Sequence, residues 1–130
     1  MAAKFYYCKH CKNLVGMVQD SGVNPVCCGE AMKELKAGEV DASQEKHVPA
    51  VASEKTDAGL RLDVSVGSIE HPMTPEHYIQ WIFVETDKGG HRRALNPSDA
   101  PKATFIIPND EKVIAVYEYC NLHGLWKHVM

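Results

Sequence analysis

The chain reads as a mainly β protein, an antiparallel β-sandwich preceded by a small metal-binding module. Three observations predict this. Leu60-Arg61-Leu62-Asp63-Val64-Ser65-Val66 alternates apolar and polar without a break, the pattern of a half-buried strand. Several other short β-branched or aromatic runs are separated by turn signals, and no long helical period accompanies them. Four of the five cysteines fall within the first 28 residues, far from the fifth at position 120.

Residues 1–36 make up the module. Phe5-Tyr6-Tyr7 leads into Cys8-Lys9-His10-Cys11, and residues 13–18 supply a short strand. Asp20-Ser21-Gly22 is a turn signal, and Cys27 and Cys28 complete the cysteine set. So few residues cannot bury enough apolar surface to fold unaided; a metal would supply the missing free energy. One cysteine pair, a gap and a second pair are the format of a four-thiolate site. Cys27 and Cys28 are adjacent, however, and neighbouring side chains on an extended backbone point to opposite sides. Both reach one ion only through a bend and a distorted tetrahedron. A zinc-bound structural knuckle stays open on this pattern.

Residues 37–44 are polar, rich in small residues and aperiodic, and read as a linker to a sandwich over residues 45–130. Val48-Pro49-Ala50-Val51 is an edge strand, because proline cannot donate to a central ladder. Residues 78–86 are aromatic and β-branched enough for a central strand. Lys88-Gly89-Gly90-His91 turns the chain toward residues 92–95, and residues 103–107 and 113–119 supply two more strands.

A second cluster of ligand-type residues lies in this part. Cys120 and His123 stand three apart, after the apolar run Val113-Ile114-Ala115-Val116-Tyr117. His47 follows Glu45-Lys46, and His71 and His77 bracket Pro72-Met73-Thr74-Pro75-Glu76. Four neutral imidazoles and one thiolate form a five-ligand set, which suits a redox-active transition metal better than structural zinc with its four ligands. Thr74-Pro75-Glu76-His77 reads as a single helical turn with Thr74 as cap and Pro75 in first position. Taken singly, each of these residues reads as a surface histidine or a buried free cysteine, and His10, His91 and His128 stay in that class. Glu118, two before Cys120, points the same way on a strand; it either supports the ligand or is an exposed polar position. Trp81 and Trp126 read as packing aromatics.

Composition removes several function classes. A net charge of −3 argues against broad nucleic-acid binding, and no apolar run approaches the ~20 residues of a membrane span. Met1-Ala2-Ala3-Lys4-Phe5 lacks the apolar core of a secretory signal, so the expected location is the cytoplasm. An odd cysteine count fits poorly with a disulfide-bonded secreted domain, and clustered cysteines in a reducing compartment more often bind metal.

Glu-Lys-His-Val-Pro at 45–49, His-Pro-Met at 71–73 with His77, Cys-Asn-Leu-His-Gly at 120–124 and the amino-terminal cysteines together resemble superoxide reductase of the desulfoferrodoxin type, over nearly the whole chain. The resemblance implies an immunoglobulin-like sandwich behind a desulforedoxin-like module, with two irons per chain. One iron is implied on His47, His71, His77, His123 and Cys120 with a sixth position open, the other on Cys8, Cys11, Cys27 and Cys28. The implied activity is one-electron reduction of superoxide to hydrogen peroxide, with re-reduction by a rubredoxin-like donor, in a homodimer. Glu45 is implied as a carboxylate that binds the oxidised metal. Lys46, beside the open position, is the candidate steering cation and proton relay. One departure from the family is Lys12, which follows Cys11 where glycine is usual; glycine eases the tight turn whose amides point at sulfur. Two other readings stand beside this one: an electron carrier working through the four-cysteine iron alone, and a zinc-dependent interaction module.

Overall fold

The computed structural model describes residues 3–130; Met1 and Ala2, where the amino-terminal segment discussed above begins, lie outside the described residues. The chain divides into two units, Met1–Lys36 and Ala37–Met130.

In the first unit, β1 (Phe5–Tyr7) lies between β2 (Leu14–Gly16) and a later strand, β5 (Lys33–Glu34). Between them a hairpin pairs β3 (Val26–Cys27) with β4 (Glu30–Ala31). Its core is Tyr6, Cys8 and Met32, with Val15, Met17 and Cys27 packed against them. The loop of that hairpin is Cys28-Gly29, and both residues have positive φ, 53° and 76°. Successive left-handed residues are the signature of the two-residue turn that matches strand twist. This is the bend that adjacent cysteines require: Cys27 ends a strand, and the left-handed Cys28 swings its thiol back to the same side. Lys12 is also left-handed, at φ 67°, with its amide donating to the Cys8 carbonyl at 2.8 Å. The departure from glycine therefore falls on a conformation that glycine adopts without penalty.

The second unit opens with α1 (Gln44–His47), a single turn, followed by β6 (Pro49–Thr56) and β7 (Gly59–Val66). Next come β8 (Ile79–Thr86), β9 (Gly89–Ala94), β10 (Lys102–Ile107), β11 (Val113–Cys120) and β12 (Gly124–Val129). Two antiparallel sheets, ordered β10-β7-β6 and β12-β11-β8-β9, enclose one apolar core, the arrangement of an immunoglobulin-like sandwich. Leu62, Val64 and Val66 of β7 and Ala103, Phe105 and Ile107 of β10 face Ile79, Ile82, Val84, Val116 and Cys120 of the other sheet. Pro49 begins edge strand β6, where its missing N–H goes unneeded.

Four local expectations are revised. Residues 74–77 do not form a helical turn: Thr74 and His77 exchange backbone hydrogen bonds of 3.0 and 3.1 Å, closing a tight β-turn with Pro75 at its second position. Gly89 and Gly90 lie inside β9, and the turn is Asp87-Lys88; a side chain at Gly90 would run into the Phe83 ring. Gln44–His47 is helical where the end of a linker and the start of the sandwich were expected. β12, unanticipated, pairs with β11 over its whole length, from Cys120↔Gly124 to Ala115↔Val129.

Candidate metal centres

The end of the sandwich where β11 stops gathers ligand side chains from four segments. Cys120 is the last residue of β11. A register shift in the β8 pairing between Tyr119 and Cys120 sets Ile79, not Gln80, opposite the cysteine. Such bulges re-aim a side chain at a strand end, and Cys120 points into the core, fully buried. The three-residue loop to β12 then brings His123 back toward its sulfur, with Nδ1 3.9 Å from Sγ. Buried His47 ends α1, and buried His71 ends the loop after β7. The 74–77 turn delivers His77.

The four imidazoles form a closed cycle in the order His47, His71, His77, His123. Neighbouring ring centres are 4.6–5.0 Å apart and neighbouring planes cross at 74–89°. One donor atom from each histidine and Cys120 Sγ all lie within 4.8 Å of one another. His47 Nδ1 is 2.6 Å from the Ser43 carbonyl, and His71 Nδ1 is 2.7 Å from that of Pro72. A carbonyl only accepts, so each Nδ1 carries the proton and each Nε2 of the neutral ring presents a lone pair. Those two Nε2 atoms face each other at 3.2 Å, and His47 Nε2 is 3.1 Å from His123 Nδ1. His77 Nε2 is buried with no hydrogen-bond partner.

Protonation does not resolve this crowding of acceptors. Burial lowers the pKa of His47, of His77, and of His71 to about 4, and the charge of nearby Lys46 further disfavours imidazolium at His47 and His77. A cation does resolve it. Two imidazole nitrogens bound at right angles to one ion, each at about 2.1 Å, stand ~3.0 Å apart, close to the separations observed. The donor set therefore fits a transition metal bound by four imidazole nitrogens and one sulfur. Burial raises the Cys120 thiol pKa, while the amides of Leu122 and His123 pull it back toward thiolate.

Supporting residues outside the sequence reading tie these segments together. Asn121 Oδ1 accepts the Tyr78 amide at 2.9 Å and its Nδ2 donates to the Glu76 carbonyl at 3.0 Å. It thus fastens the turn carrying His77 to the loop carrying Cys120 and His123. Trp126, read from sequence as packing only, stacks on His47 at 5.0 Å and donates its indole N–H to the His123 carbonyl at 3.0 Å. Such outer contacts orient ligating rings. An aromatic three residues past a histidine was the available signal, with nothing local to distinguish it from core. Glu118 is fully buried, not exposed; both carboxyl oxygens lack partners, and burial pushes its pKa well up.

The amino-terminal unit holds a second cluster. Cys8, Cys11, Cys27 and Cys28 are free thiols whose sulfurs lie within 4.8 Å of one another. The amides of Cys11 and His10 lower the Cys8 pKa to about 6, whereas crowding by the other sulfurs, Cys11 first, raises Cys28 to about 12. Four sulfurs this close cannot all ionise unaided, and a cation in their midst replaces their protons. His10 is exposed and pairs with Glu30; His91 pairs with Glu111; His128 joins neither cluster. Glu45 and Lys46 are exposed on α1, beside the histidine cycle. Among the described residues, no helix is long and apolar enough to cross a membrane.

Comparison with known proteins accords with these centres. Residues 39–129 match the family profile described as desulfoferrodoxin. The desulfoferrodoxin of Nitratidesulfovibrio vulgaris is 48% identical, over 95% of this chain and 94% of its own. The superoxide reductase of Thermococcus kodakarensis is 36% identical, over 72% of this chain and 91% of its own. The crystal structure of the superoxide reductase from Treponema pallidum superposes with a TM-score of 0.80 at 38% identity, covering 98% of this chain and 99% of that one. With more than two-thirds of its length matching the profile and both ligand clusters formed, the chain belongs to the desulfoferrodoxin family.

Proposed function

We propose that the chain is a superoxide reductase that converts superoxide to hydrogen peroxide by one electron. In this reading His47, His71, His77, His123 and Cys120 hold a catalytic iron, and Cys8, Cys11, Cys27 and Cys28 hold a second. The observation that carries it is the closed cycle of four imidazoles gathered with a buried cysteine sulfur. Relatives named superoxide reductase support the substrate. Bound there, iron would supply the electron, and a thiolate ligand would add the electron density that favours its transfer.

The chain's own groups do the rest. The Ser43 and Pro72 carbonyls hold the His47 and His71 lone pairs inward. Lys46 puts a positive charge beside the cycle, already felt by His47 and His77, and draws in an anionic substrate. A water held by its ammonium supplies protons to the product. The Glu45 carboxylate is kept ionised by its own amide and by the Ser43 hydroxyl at 2.8 Å, and is available to the oxidised metal. A rubredoxin-like protein returns the electron, in the cytoplasm, to an enzyme that works as a homodimer. Metal analysis with anaerobic stopped-flow kinetics tests the reading. Two irons per chain and a fast second-order reaction with superoxide are expected; zinc in both sites, or iron without that reaction, overturns it.

A further inference from the structure

α1 is one turn long, and the Val48 amide closes its carboxyl end by donating to the Gln44 carbonyl at 2.9 Å. A continuing helix would satisfy the Glu45 carbonyl with the amide of residue 49, but residue 49 is proline and has none. The missing donors come instead from the loop after β7. The Ile69 amide donates to the Glu45 oxygen at 2.9 Å and the Ser68 hydroxyl at 3.3 Å. Gly67 allows this approach: a Cβ there would stand 2.5 Å from the Glu45 oxygen and 3.0 Å from the Lys46 carbonyl carbon and from the Val48 oxygen. The loop is itself closed, with Gly67 N–H bonded to the Ile69 carbonyl at 3.2 Å and His71 N–H to that of Val66 at 2.9 Å. It is therefore a compact piece seated on the back of α1, and His71 is its last residue.

We infer that Gly67, Ser68 and Ile69 form a latch on the Glu45 carbonyl that positions Lys46 over the histidine cycle. Gly67 and Ser68 are positioning residues; neither belongs to either ligand cluster. What positioning Lys46 achieves rests on the steering role proposed above, whereas the latch does not. The loop also borders an open cleft lined by Ala50, Ser65, Glu70 and Lys102, so a side chain added at Gly67 can push the loop into that space without unfolding the sheet.

The test uses the full-length iron-loaded protein with Ser68→Ala, Ser68→Thr and Gly67→Ala. Hydrogen exchange is followed in peptides spanning 44–48 and 66–71, beside iron content and the salt dependence of the superoxide rate. Ser68→Ala and Gly67→Ala are expected to speed exchange in both peptides about tenfold. They should also lower the second-order rate about threefold and flatten its salt dependence, with two irons per chain retained. Ser68→Thr, which keeps the hydroxyl, is expected to behave as wild type. Faster exchange with an unchanged rate upholds the latch and removes Lys46 as the steering group. Unchanged exchange in both Ser68→Ala and Gly67→Ala overturns the latch, whatever Lys46→Ala does to the rate. A rate loss that only tracks lost iron overturns it too, because that is a structural effect on His71.

Discussion

Acidifying the metal-free protein tests how strongly the fold holds His71 neutral. Burial lowers the pKa of His71 to about 4 from 6.5, and the side chain is 1% exposed, so solvent screens little of the effect. Between those values the unfolded chain binds a proton that the folded chain refuses, so stability falls as pH falls. The contribution is fully present above the unfolded pKa and is lost on the way down toward the folded one. At pH 5, His71 alone should have cost the fold about 2 kcal/mol relative to pH 8. Urea unfolding at the two pH values measures it. Both tryptophans, Trp81 and Trp126, lie in Ala37–Met130, so their fluorescence reports that unit and not the cysteine module. His71→Asn retains a donor for the Pro72 carbonyl and has nothing to titrate. Wild type should therefore lose about 2 kcal/mol more than this variant, a midpoint difference of roughly 1 M urea. Equal losses in the two proteins would refute the claim that burial holds this imidazole neutral, and with it the argument that opposed lone pairs demand a cation.

Three further outcomes follow from the same geometry. Cys120→Ser should abolish superoxide reduction while the amino-terminal cluster keeps its metal, as stopped-flow kinetics beside metal analysis will check; normal turnover would remove the sulfur from the mechanism. Lys46→Ala should slow the bimolecular step about tenfold at low salt and weaken its dependence on ionic strength, as stopped-flow series at several salt concentrations will reveal. Lys12→Gly should stabilise the cysteine module by about 1 kcal/mol, because glycine takes the left-handed backbone without the penalty a lysine carries. Thermal loss of the metal–thiolate absorption band measures this, and a lower midpoint would mean that the lysine side chain makes a compensating contact.

The ligand clusters were legible in the sequence because thiolates and imidazoles are few and their neighbours are distinctive: Cys120 and His123 three apart, Cys27 beside Cys28, His71 and His77 around two prolines. The strands with clean alternation were legible for a similar reason, since residues 60–66 bury one face only. β12 was not. Leu125 and Trp126 are both buried, so the period of two disappears where both faces are covered. Thr74-Pro75 carried a true signal with two meanings. Threonine and proline open a helix as readily as they open a β-turn. The choice is made by Asn121, 45 residues from Glu76, which holds the flanking Glu76 carbonyl and Tyr78 amide. α1 shows the same dependence. Pro49 leaves its Glu45 carbonyl without a helical partner, and only the loop before His71 supplies one. The residues that bear ligands are thus local facts of the sequence, while the turns that aim them are fixed by long-range contacts to backbone carbonyls and amides. Substitution at Asn121 should accordingly loosen the turn that carries His77 while leaving the ligand set itself complete.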